Sequence, residues 1–301
     1  MEYHHRPVML EEAVSALAPR PGGRYVDGTI GGGGHARAIL DRIGASGALL
    51  GLDRDPVAIG RLEETLAPAA SALILRRANF SNLDAVMAEL GWQAVDGVLL
   101  DLGLSSFQLD ASGRGFSFQR DEPLDMRMDP DTGQPASVLV NRMPEKELAN
   151  LIFELGEERG SRRVARAIVR SRPLATTAQL ADVVRRALSR PGRPPRIDPA
   201  TRTFQALRLA VNGELDHLQR ALAQIPSLLG PRGRAVFISF HSLEDRLVKR
   251  AMVPAARREP ETMEGPALKA IYKKPLTPTP EETAENPRSR SAKLRAGYRI
   301  G

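Results

Sequence analysis

The sequence has 301 residues, of which 42% are hydrophobic and none is cysteine, and its formal net charge is +7 at pH 7. This length allows one large domain or two of ordinary size. The absence of cysteine excludes disulfides, thiolate zinc sites, iron–sulfur clusters and a cysteine nucleophile. No apolar stretch is long enough to span a membrane, and the first residues do not resemble a secretory signal, so we expect a cytoplasmic protein without a membrane segment.

Short apolar runs alternate with segments of helical periodicity along the first hundred residues. The predicted strands are 24–26, 48–52, 73–75 and 98–100, and the predicted helices are 10–18, 35–43, 56–67 and 81–90. Alternation of this kind favours a parallel sheet with helices on both faces. The predicted fold class is therefore α/β.

The next predicted strand, 235–240, begins more than 130 residues after the fourth one. An ordinary crossover between strands is much shorter, so the gap indicates an insertion. Helical periodicity predicts helices at 144–155, 161–171 and 177–188. A helix from about residue 200 to 229, with a break near Asn212 and Gly213, is predicted to return to the sheet.

These elements define the expected domains. We expect the first part of an α/β domain at 1–108, an inserted helical substrate-binding domain at 109–205, and the second part of the α/β domain at 206–301. Two antiparallel strands, 270–272 and 294–300, are predicted to end it.

Four consecutive glycines follow the first predicted strand, in the string VDGTIGGGGHA that begins at Val26. Without Cβ atoms the backbone passes close to a ligand at low cost, and the helix that follows offers unpaired N–H groups. Asp53 ends the second predicted strand, where nucleotide-binding folds hold ribose hydroxyls. The pattern predicts a site for a nucleoside-type cofactor.

Two classes of cofactor fit this turn. Gly31, Gly33 and Ala36 match the G-x-G-x-x-A spacing of nicotinamide and flavin enzymes. Asp27 favours S-adenosylmethionine, because a carboxylate there accepts a hydrogen bond from a cationic amino group and repels a pyrophosphate. An Asx turn is the purely structural alternative for Asp27.

Further polar groups follow the other predicted strands. The string DLGLSSFQLD, which begins at Asp101, offers acids, hydroxyls and an amide at the edge where parallel sheets bind ligands. Phe80 either stacks on an adenine ring or packs in the core. His241 is a candidate for the substrate pocket, while Ser242 and Asp245 indicate a capping box at the start of the next helix.

The positive charge is concentrated within the predicted insertion. Residues 157–208 contain 13 arginines and four acids, a net charge of +9, so the rest of the chain sums to −2. This clustering indicates a surface that binds nucleic-acid phosphates. The alternative is a set of ordinary solvated helix faces rich in arginine because of genome composition, which explains the choice of arginine over lysine and leaves the clustering unexplained.

Several longer strings together carry a resemblance to a known family. They are VDGTIGGGGHA, GLDRDPVAI, DLGLSSFQLD, GFSF with PLDMRMD, GEERGSRRVARAIV, ATRTFQALRLAVNGEL, SFHSLEDRLVK and NPRSRSAKLRA. In this order and over nearly the whole chain, the sequence resembles the bacterial ribosomal RNA small-subunit methyltransferase H family. The resemblance implies a class I (Rossmann-like) S-adenosylmethionine-dependent methyltransferase sheet with an inserted helical domain. It also implies methylation of the exocyclic N4 of a decoding-centre cytidine in 16S rRNA, within the small ribosomal subunit.

The resemblance also implies roles for individual residues. The expected cofactor contacts, with Asp27 added from the argument above, are Gly33, Gly34, His35, Asp53, Phe80, Asp101 and Gln108. The motifs do not assign the acceptor of the N4 proton, for which Asp101 or a nearby backbone carbonyl is expected in a direct transfer without a covalent intermediate. The RNA contacts expected from the basic cluster and from the end of the fifth predicted strand, rather than from the resemblance, are Arg162, Arg163, Arg166 and His241. No metal site is expected, and a homodimer is compatible with the sequence.

Two other functions fit parts of the sequence. A nicotinamide-dependent oxidoreductase is compatible with the glycine spacing, although Asp27 and the basic insertion argue against it. A non-catalytic RNA-binding assembly factor is compatible with the basic insertion. Transfer of a methyl group to small-subunit rRNA distinguishes the methyltransferase from both.

Overall fold

A computed structural model describes residues 7–67, 70–110, 112–189, 197–254 and 265–301. The chain divides into two compact units, one formed by Met1–Gly103 with Leu215–Gly301 and the other by Leu104–Glu214. The second unit is longer at both ends than the insertion predicted at 109–205. It is longer at its C-terminal end because a whole helix, predicted to return to the sheet, packs with the inserted helices instead.

Eight strands of the described chain form one sheet in the first unit, in the order β3-β2-β1-β4-β5-β8-β7-β6. Their bounds are β1 Arg24–Asp27, β2 Ala48–Asp53, β3 Leu73–Arg77, β4 Val95–Asp101, β5 Leu229–Ser239, β6 Met252–Val253, β7 Ala267–Ala270 and β8 Lys293–Ile300. Strands β1 to β5 pair in parallel, and β8 is antiparallel to both β5 and β7. This is the predicted α/β, Rossmann-like arrangement.

Thirteen helices lie in the described part of the chain. Their bounds are α1 Leu10–Leu17, α2 Gly34–Ile43, α3 Pro56–Thr65, α4 Leu83–Glu89, α5 Ser106–Asp110, α6 Ala136–Arg142, α7 Glu145–Gly156, α8 Ser161–Arg170, α9 Thr177–Leu188, α10 Ala200–Asn212, α11 Glu214–Leu228, α12 Ser242–Arg250 and α13 Pro280–Glu285. None of them is long and apolar enough to cross a membrane.

Both faces of the sheet are covered by helices, as the alternating sequence pattern predicts. Neighbouring residues of a strand point to opposite faces. Tyr25 therefore packs in one core with Leu17 and Ile39, from α1 and α2, while Val26 packs in a second core with Leu83 and Ile225, from α4 and α11. Because helices cover both faces, the ends of β1, β2 and β4 are the part of these strands that a ligand can reach.

The second unit is helical and has its own core. Helices α6 to α10 bury Ile152, Val164, Leu180 and Phe204, among others. The three helices predicted for this region are confirmed as α7, α8 and α9. The predicted break is also confirmed, because Gly213 lies between α10 and α11 with a φ of +58°.

The bounds of two predicted strands differ most from those in the structure. The strand predicted at 235–240 begins earlier, at Leu229, and runs to Ser239. The strand predicted at 270–272 lies at Ala267–Ala270, where its register with β8 places Ala267 opposite Ile300. Pairing with a distant strand determines both bounds, and that information is absent from the local pattern.

Candidate functional site

Three aspartates stand at one edge of the sheet, each as the last residue of a parallel strand. Asp27 ends β1, Asp53 ends β2 and Asp101 ends β4. These strands are neighbours, since β1 pairs with both β2 and β4. The carboxyl ends of parallel strands are where open α/β sheets bind ligands. The structure thus brings together the three acids that the sequence predicted at this edge.

The glycine-rich turn after β1 is attached to β2 through Asp53. One carboxylate oxygen of Asp53 accepts a hydrogen bond from the Gly31 N–H at 3.1 Å, and the other accepts one from the Asp55 N–H at 2.8 Å. The Ile30 N–H donates to the Leu52 carbonyl at 2.9 Å. Asp53 therefore holds the turn in place in addition to its predicted ligand contact, a role that the sequence analysis missed.

Glycine is required at positions 33 and 34 for different structural reasons. Gly33 caps α2 with a φ of +77°, and a Cβ there would lie 2.8 Å from Leu62. A Cβ on Gly34 would lie 2.1 Å from the Cγ of Pro7. Gly34 is thus required by packing against the N-terminal segment, whereas Gly33 is required by its left-handed backbone.

Asp27 is buried beside the turn. Its carboxylate accepts a hydrogen bond from the Thr29 N–H at 3.1 Å, so the Asx-turn alternative is present. The Thr29 hydroxyl oxygen in turn accepts the Asp101 N–H at 2.6 Å. Burial raises the pKa of Asp27 to about 7, and the charge of Asp53 adds to this effect against the opposing Thr29 hydrogen bond. With this pKa, a cation bound beside Asp27 would shift the carboxyl to its ionised form near neutral pH.

Asp101 is the least compensated acid of the edge. Its Oδ1 atom is buried and has no hydrogen-bond partner in the described part of the chain, and its Oδ2 lies 3.8 Å from the Nδ1 of His35. Burial, followed by the charges of Asp27 and Glu244, raises the pKa of Asp101 well above its ordinary value. A cationic ligand would favour the ionised form of this carboxyl, and a hydrogen-donating ligand would pair its buried oxygen.

The charge of Asp53 is also disfavoured in the absence of a ligand. Burial raises the pKa of Asp53 to about 6, and the charge of Asp55 contributes, although the Asp55 and Gly31 N–H groups oppose the shift. Among the described residues, the edge therefore concentrates carboxyl groups whose charged forms are disfavoured by burial. Such a surface fits a ligand that carries positive charge and hydroxyl donors.

Phe80 lies beside the glycine turn. It begins a 3₁₀ turn, Phe80–Asn82, and is half-buried against the core that contains Leu100. A Cβ on Gly28 would lie 3.1 Å from the Cβ of Phe80 and 2.4 Å from Leu100. The packing of Phe80 on the core is confirmed, and its contact with an adenine ring stays a prediction.

The Phe80 turn is held by helix α11, which the sequence analysis did not connect with it. Ser81 Oγ lies 3.0 Å from the Nδ1 of His217. The side-chain amide of Gln224 donates to the Ser81 carbonyl at 2.8 Å and accepts the Asp84 N–H at 2.9 Å. These partners are more than 130 residues apart along the chain, so no local signal identifies them.

His241 is the N-cap of α12, which corrects the predicted capping box. Its Nδ1 accepts the Glu244 N–H at 3.4 Å, and Glu244 accepts the His241 N–H at 3.3 Å. Asp245, the predicted box partner of Ser242, instead accepts hydrogen bonds from Arg295 at 2.7 Å and Lys293 at 3.2 Å. The imidazole of His241 supplies a capping lone pair, and its contact with substrate stays a prediction.

Gln108 lies in the second unit, on the short helix α5. Its side-chain oxygen accepts the Ser105 N–H at 3.1 Å, and its own N–H donates to the Ser105 hydroxyl at 3.2 Å. The Gln108 side chain is buried, and its hydrogen bond from the Ser105 N–H orients its oxygen. Its contact with the cofactor stays a prediction.

The arginines of the basic cluster divide into two groups. Arg172 donates to the Val140 carbonyl at 2.7 Å, and Arg208 forms an ion pair with Glu214 at 2.9 Å, so both are structural. On α8 the predicted RNA contacts Arg162, Arg163 and Arg166 are exposed, opposite the buried residues of that helix.

Comparison with known proteins identifies the family. The model of the MraW methylase family matches residues 2–300. A ribosomal RNA small subunit methyltransferase H from Geotalea uraniireducens is 49% identical over 99% of both chains. One from Heliobacterium mobile is 47% identical over 100% of both, and one from Xanthobacter autotrophicus is 51% identical over 98% of this chain and 87% of its own.

The comparison decides between the two cofactor classes left open by the glycine turn. A methylase uses S-adenosylmethionine, so the predicted cofactor is confirmed at the level of the family, and the oxidoreductase alternative is wrong. The chain belongs to the MraW methylase family.

Proposed function

We propose that the protein transfers a methyl group from S-adenosylmethionine to the exocyclic N4 of a cytidine in the decoding centre of 16S rRNA, with the small ribosomal subunit as substrate. The relatives that match over the whole chain are small-subunit rRNA methyltransferases. The observation that supports the proposal most directly is the buried Asp101 Oδ1 at the sheet edge, which has no hydrogen-bond partner among the described residues, because transfer to an amine needs a proton acceptor there.

The residues of the sheet edge fit this cofactor. Bound there, it supplies an activated methyl group on a cationic sulfur. Asp53 would hold the ribose hydroxyls, Asp27 and Asp101 would face the cationic amino group, and Phe80 would contact the adenine. The backbone of Gly33, Gly34 and His35 at the start of α2 would hold its polar groups, and Gln108 completes the set implied by the resemblance.

Asp101 would act on the substrate amine. The lone pair of a cytosine amine is delocalised into the ring, so the amine must be held close and aligned. Acceptance of the methyl group would leave the N4 cationic. Asp101 then accepts an N4 proton, which leaves a neutral methylated amine. The absence of cysteine agrees with a transfer that forms no covalent adduct on the ring.

Mass spectrometry of rRNA nucleosides tests the proposal. We expect small subunits lacking the modification to gain N4-methylcytidine when incubated with the protein and S-adenosylmethionine. Subunits in which the target cytidine is replaced by uridine are the control. Appearance of the methyl group on the ring carbon or ribose would contradict the N4 assignment. No transfer to naked rRNA or to subunits would favour the RNA-binding assembly factor.

Replacing Asp53 with alanine should strongly weaken cofactor binding. The change removes the acceptor for the Gly31 and Asp55 N–H groups as well as the proposed ribose contact, so we expect affinity for S-adenosylhomocysteine to fall by about 100-fold or more. Calorimetric titration measures this directly. Asp41→Ala, an exposed acid of α2, is the matched control and should bind normally. Unchanged affinity in Asp53→Ala would contradict the assignment.

The arginines of α8 should affect RNA binding separately from the cofactor. We expect Arg162→Glu with Arg163→Glu to weaken binding to the small subunit, and the salt dependence of log K to fall by about 0.7 to 0.9 per lost phosphate contact. Affinity for S-adenosylhomocysteine should stay unchanged. The charge-matched control is Lys249→Glu with Arg250→Glu, two exposed residues of α12 in the first unit. An equal loss of RNA binding in the control would argue against a specific α8 surface.

A further inference from the structure

The backbones of β1 and β4 separate just after Gly28. This residue still donates its N–H to the Leu99 carbonyl at 2.9 Å, whereas the Ile30 N–H donates to the Leu52 carbonyl of β2, so the chain has turned away from β4. In a continued parallel ladder, the next N–H of β4 to donate would be that of Asp101, two residues after Leu99. The Asp101 N–H therefore needs an acceptor other than the backbone of β1.

Thr29 supplies this acceptor with its side chain. Its hydroxyl oxygen accepts the Asp101 N–H at 2.6 Å, and its own backbone N–H donates to the Asp27 carboxylate at 3.1 Å. One residue is thus bonded to both of the acids that end β1 and β4. Because threonine is branched at Cβ, its χ1 torsion is stiff and its hydroxyl has few available directions. Thr29 therefore fixes the Asp101 backbone relative to the Asp27 carboxyl.

The separation of these two acids matters because their charges influence each other. Burial raises the pKa of Asp101, and the charge of Asp27, followed by that of Glu244 on α12, raises it further. His35 on α2, whose Nδ1 lies 3.8 Å from Asp101, acts in the opposite direction when it is protonated. Like charges that are free to move separate. A constraint on the distance between Asp27 and Asp101 therefore affects how readily Asp101 takes up a proton.

We propose that Thr29 is a positioning residue of the methyl transfer, because its hydroxyl and its backbone N–H hold Asp101 and Asp27 at a fixed separation. The proposal rests on the N4 transfer described above, in which Asp101 accepts the proton. Thr29 does not touch the substrate amine and acts through the two aspartates. It keeps Asp27 beside the position of the cofactor's amino group and Asp101 within reach of the N4 proton.

Replacing Thr29 with valine removes the hydroxyl and keeps the branched shape. The Asp101 N–H loses its acceptor, while the backbone N–H of position 29 still donates to Asp27. We expect kcat on unmodified small subunits to fall by about 10- to 100-fold, the scale for a small misplacement of a reacting group. Affinity for S-adenosylhomocysteine should change much less, because the contact with Asp27 is retained. Thr29→Ser, which keeps the hydroxyl, should restore most of the rate.

Thr65→Val is the matched control for the loss of a hydroxyl. Thr65 is an exposed residue of α3 whose hydroxyl donates to the Arg61 carbonyl at 2.7 Å, and its replacement should leave kcat at the wild-type value. All rates are measured well below the thermal midpoint of each variant, so that unfolding does not contribute. A wild-type kcat in Thr29→Val, or an equal loss of rate in Thr29→Ser, would overturn the proposal.

NMR of the cofactor-free protein tests the constraint without any turnover. We expect the Asp101 amide hydrogen to exchange at least about 10-fold faster in Thr29→Val than in the wild type or Thr29→Ser, because its acceptor is lost. The titration midpoint of the Asp101 carboxyl, assigned by its absence in Asp101→Asn, should fall in Thr29→Val, since the charge of Asp27 then acts from further away. Unchanged exchange or an unchanged midpoint would contradict the constraint. Because neither measurement needs RNA, both are independent of which nucleoside atom the wild type methylates.

Discussion

Replacing Asp101 with asparagine should reduce kcat for methyl transfer by about 10²- to 10⁴-fold, the usual contribution of a positioned proton acceptor. Asparagine has nearly the same shape as aspartate and accepts no proton from the N4 amine. The substitution leaves either a neutral carbonyl oxygen or an amide nitrogen at the position of the buried Oδ1, which has no hydrogen-bond partner among the described residues. Single-turnover transfer to unmodified small subunits measures the rate without interference from product release.

Two controls make the Asp101→Asn result specific. Asp41→Asn, an exposed acid of α2, should retain the wild-type rate. The thermal midpoint of Asp101→Asn should be no lower than that of the wild type, since the variant removes a buried acid whose charged form is disfavoured and whose Oδ1 has no hydrogen-bond partner among the described residues. If Asp101→Asn methylates at the wild-type rate, a backbone carbonyl or solvent accepts the proton and Asp101 only binds the cofactor.

Replacing Asp27 with asparagine should stabilise the cofactor-free protein above pH 7 while weakening its cofactor binding. Burial raises the pKa of Asp27 from 3.8 to about 7, so the folded protein keeps a proton that the unfolded chain loses above pH 4. The unfolded state then binds fewer protons, and the free energy of unfolding falls as pH rises between about 4 and 7. At about 1.4 kcal/mol per pKa unit, the loss is on the order of 4 kcal/mol at most.

Urea unfolding at pH 5 and pH 8 checks the Asp27 prediction. The free energy of unfolding should fall from pH 5 to pH 8 in the wild type. In the variant it should fall by less, because asparagine remains neutral throughout. Saturating S-adenosylhomocysteine should reduce the difference at pH 8, since its amino group balances the Asp27 charge. Equal pH dependence in both proteins would show that Asp27 does not titrate in this range.

Local patterns predicted the sheet edge because its features lie close together in the sequence. Each of Asp27, Asp53 and Asp101 directly follows an apolar run, so strand and acid were read from one short segment. The glycine turn was equally local. The roles of these residues as site groups remain predictions, but their common position at one edge follows from the parallel order of β1, β2 and β4.

What the sequence did not predict depends on contacts across the chain. His217 and Gln224 hold the Phe80 turn from a helix far along the sequence. The cap of α12 was predicted at Ser242 because hydroxyls cap helices far more often than an imidazole lone pair does. In the structure the cap is His241. The number of arginines predicted the positive charge of the insertion. It did not show that Arg208 forms a buried ion pair with Glu214.

The sheet order has a consequence for biosynthesis. β8, which follows the other seven strands along the chain, lies between β5 and β7 rather than at a border. Until β8 emerges from the ribosome, the hydrogen-bonding groups on one side of β5 have no neighbour, and β6 and β7 have no route into the sheet. A nascent chain stalled before Lys293 would therefore expose an open strand, a surface that chaperones recognise and that promotes aggregation.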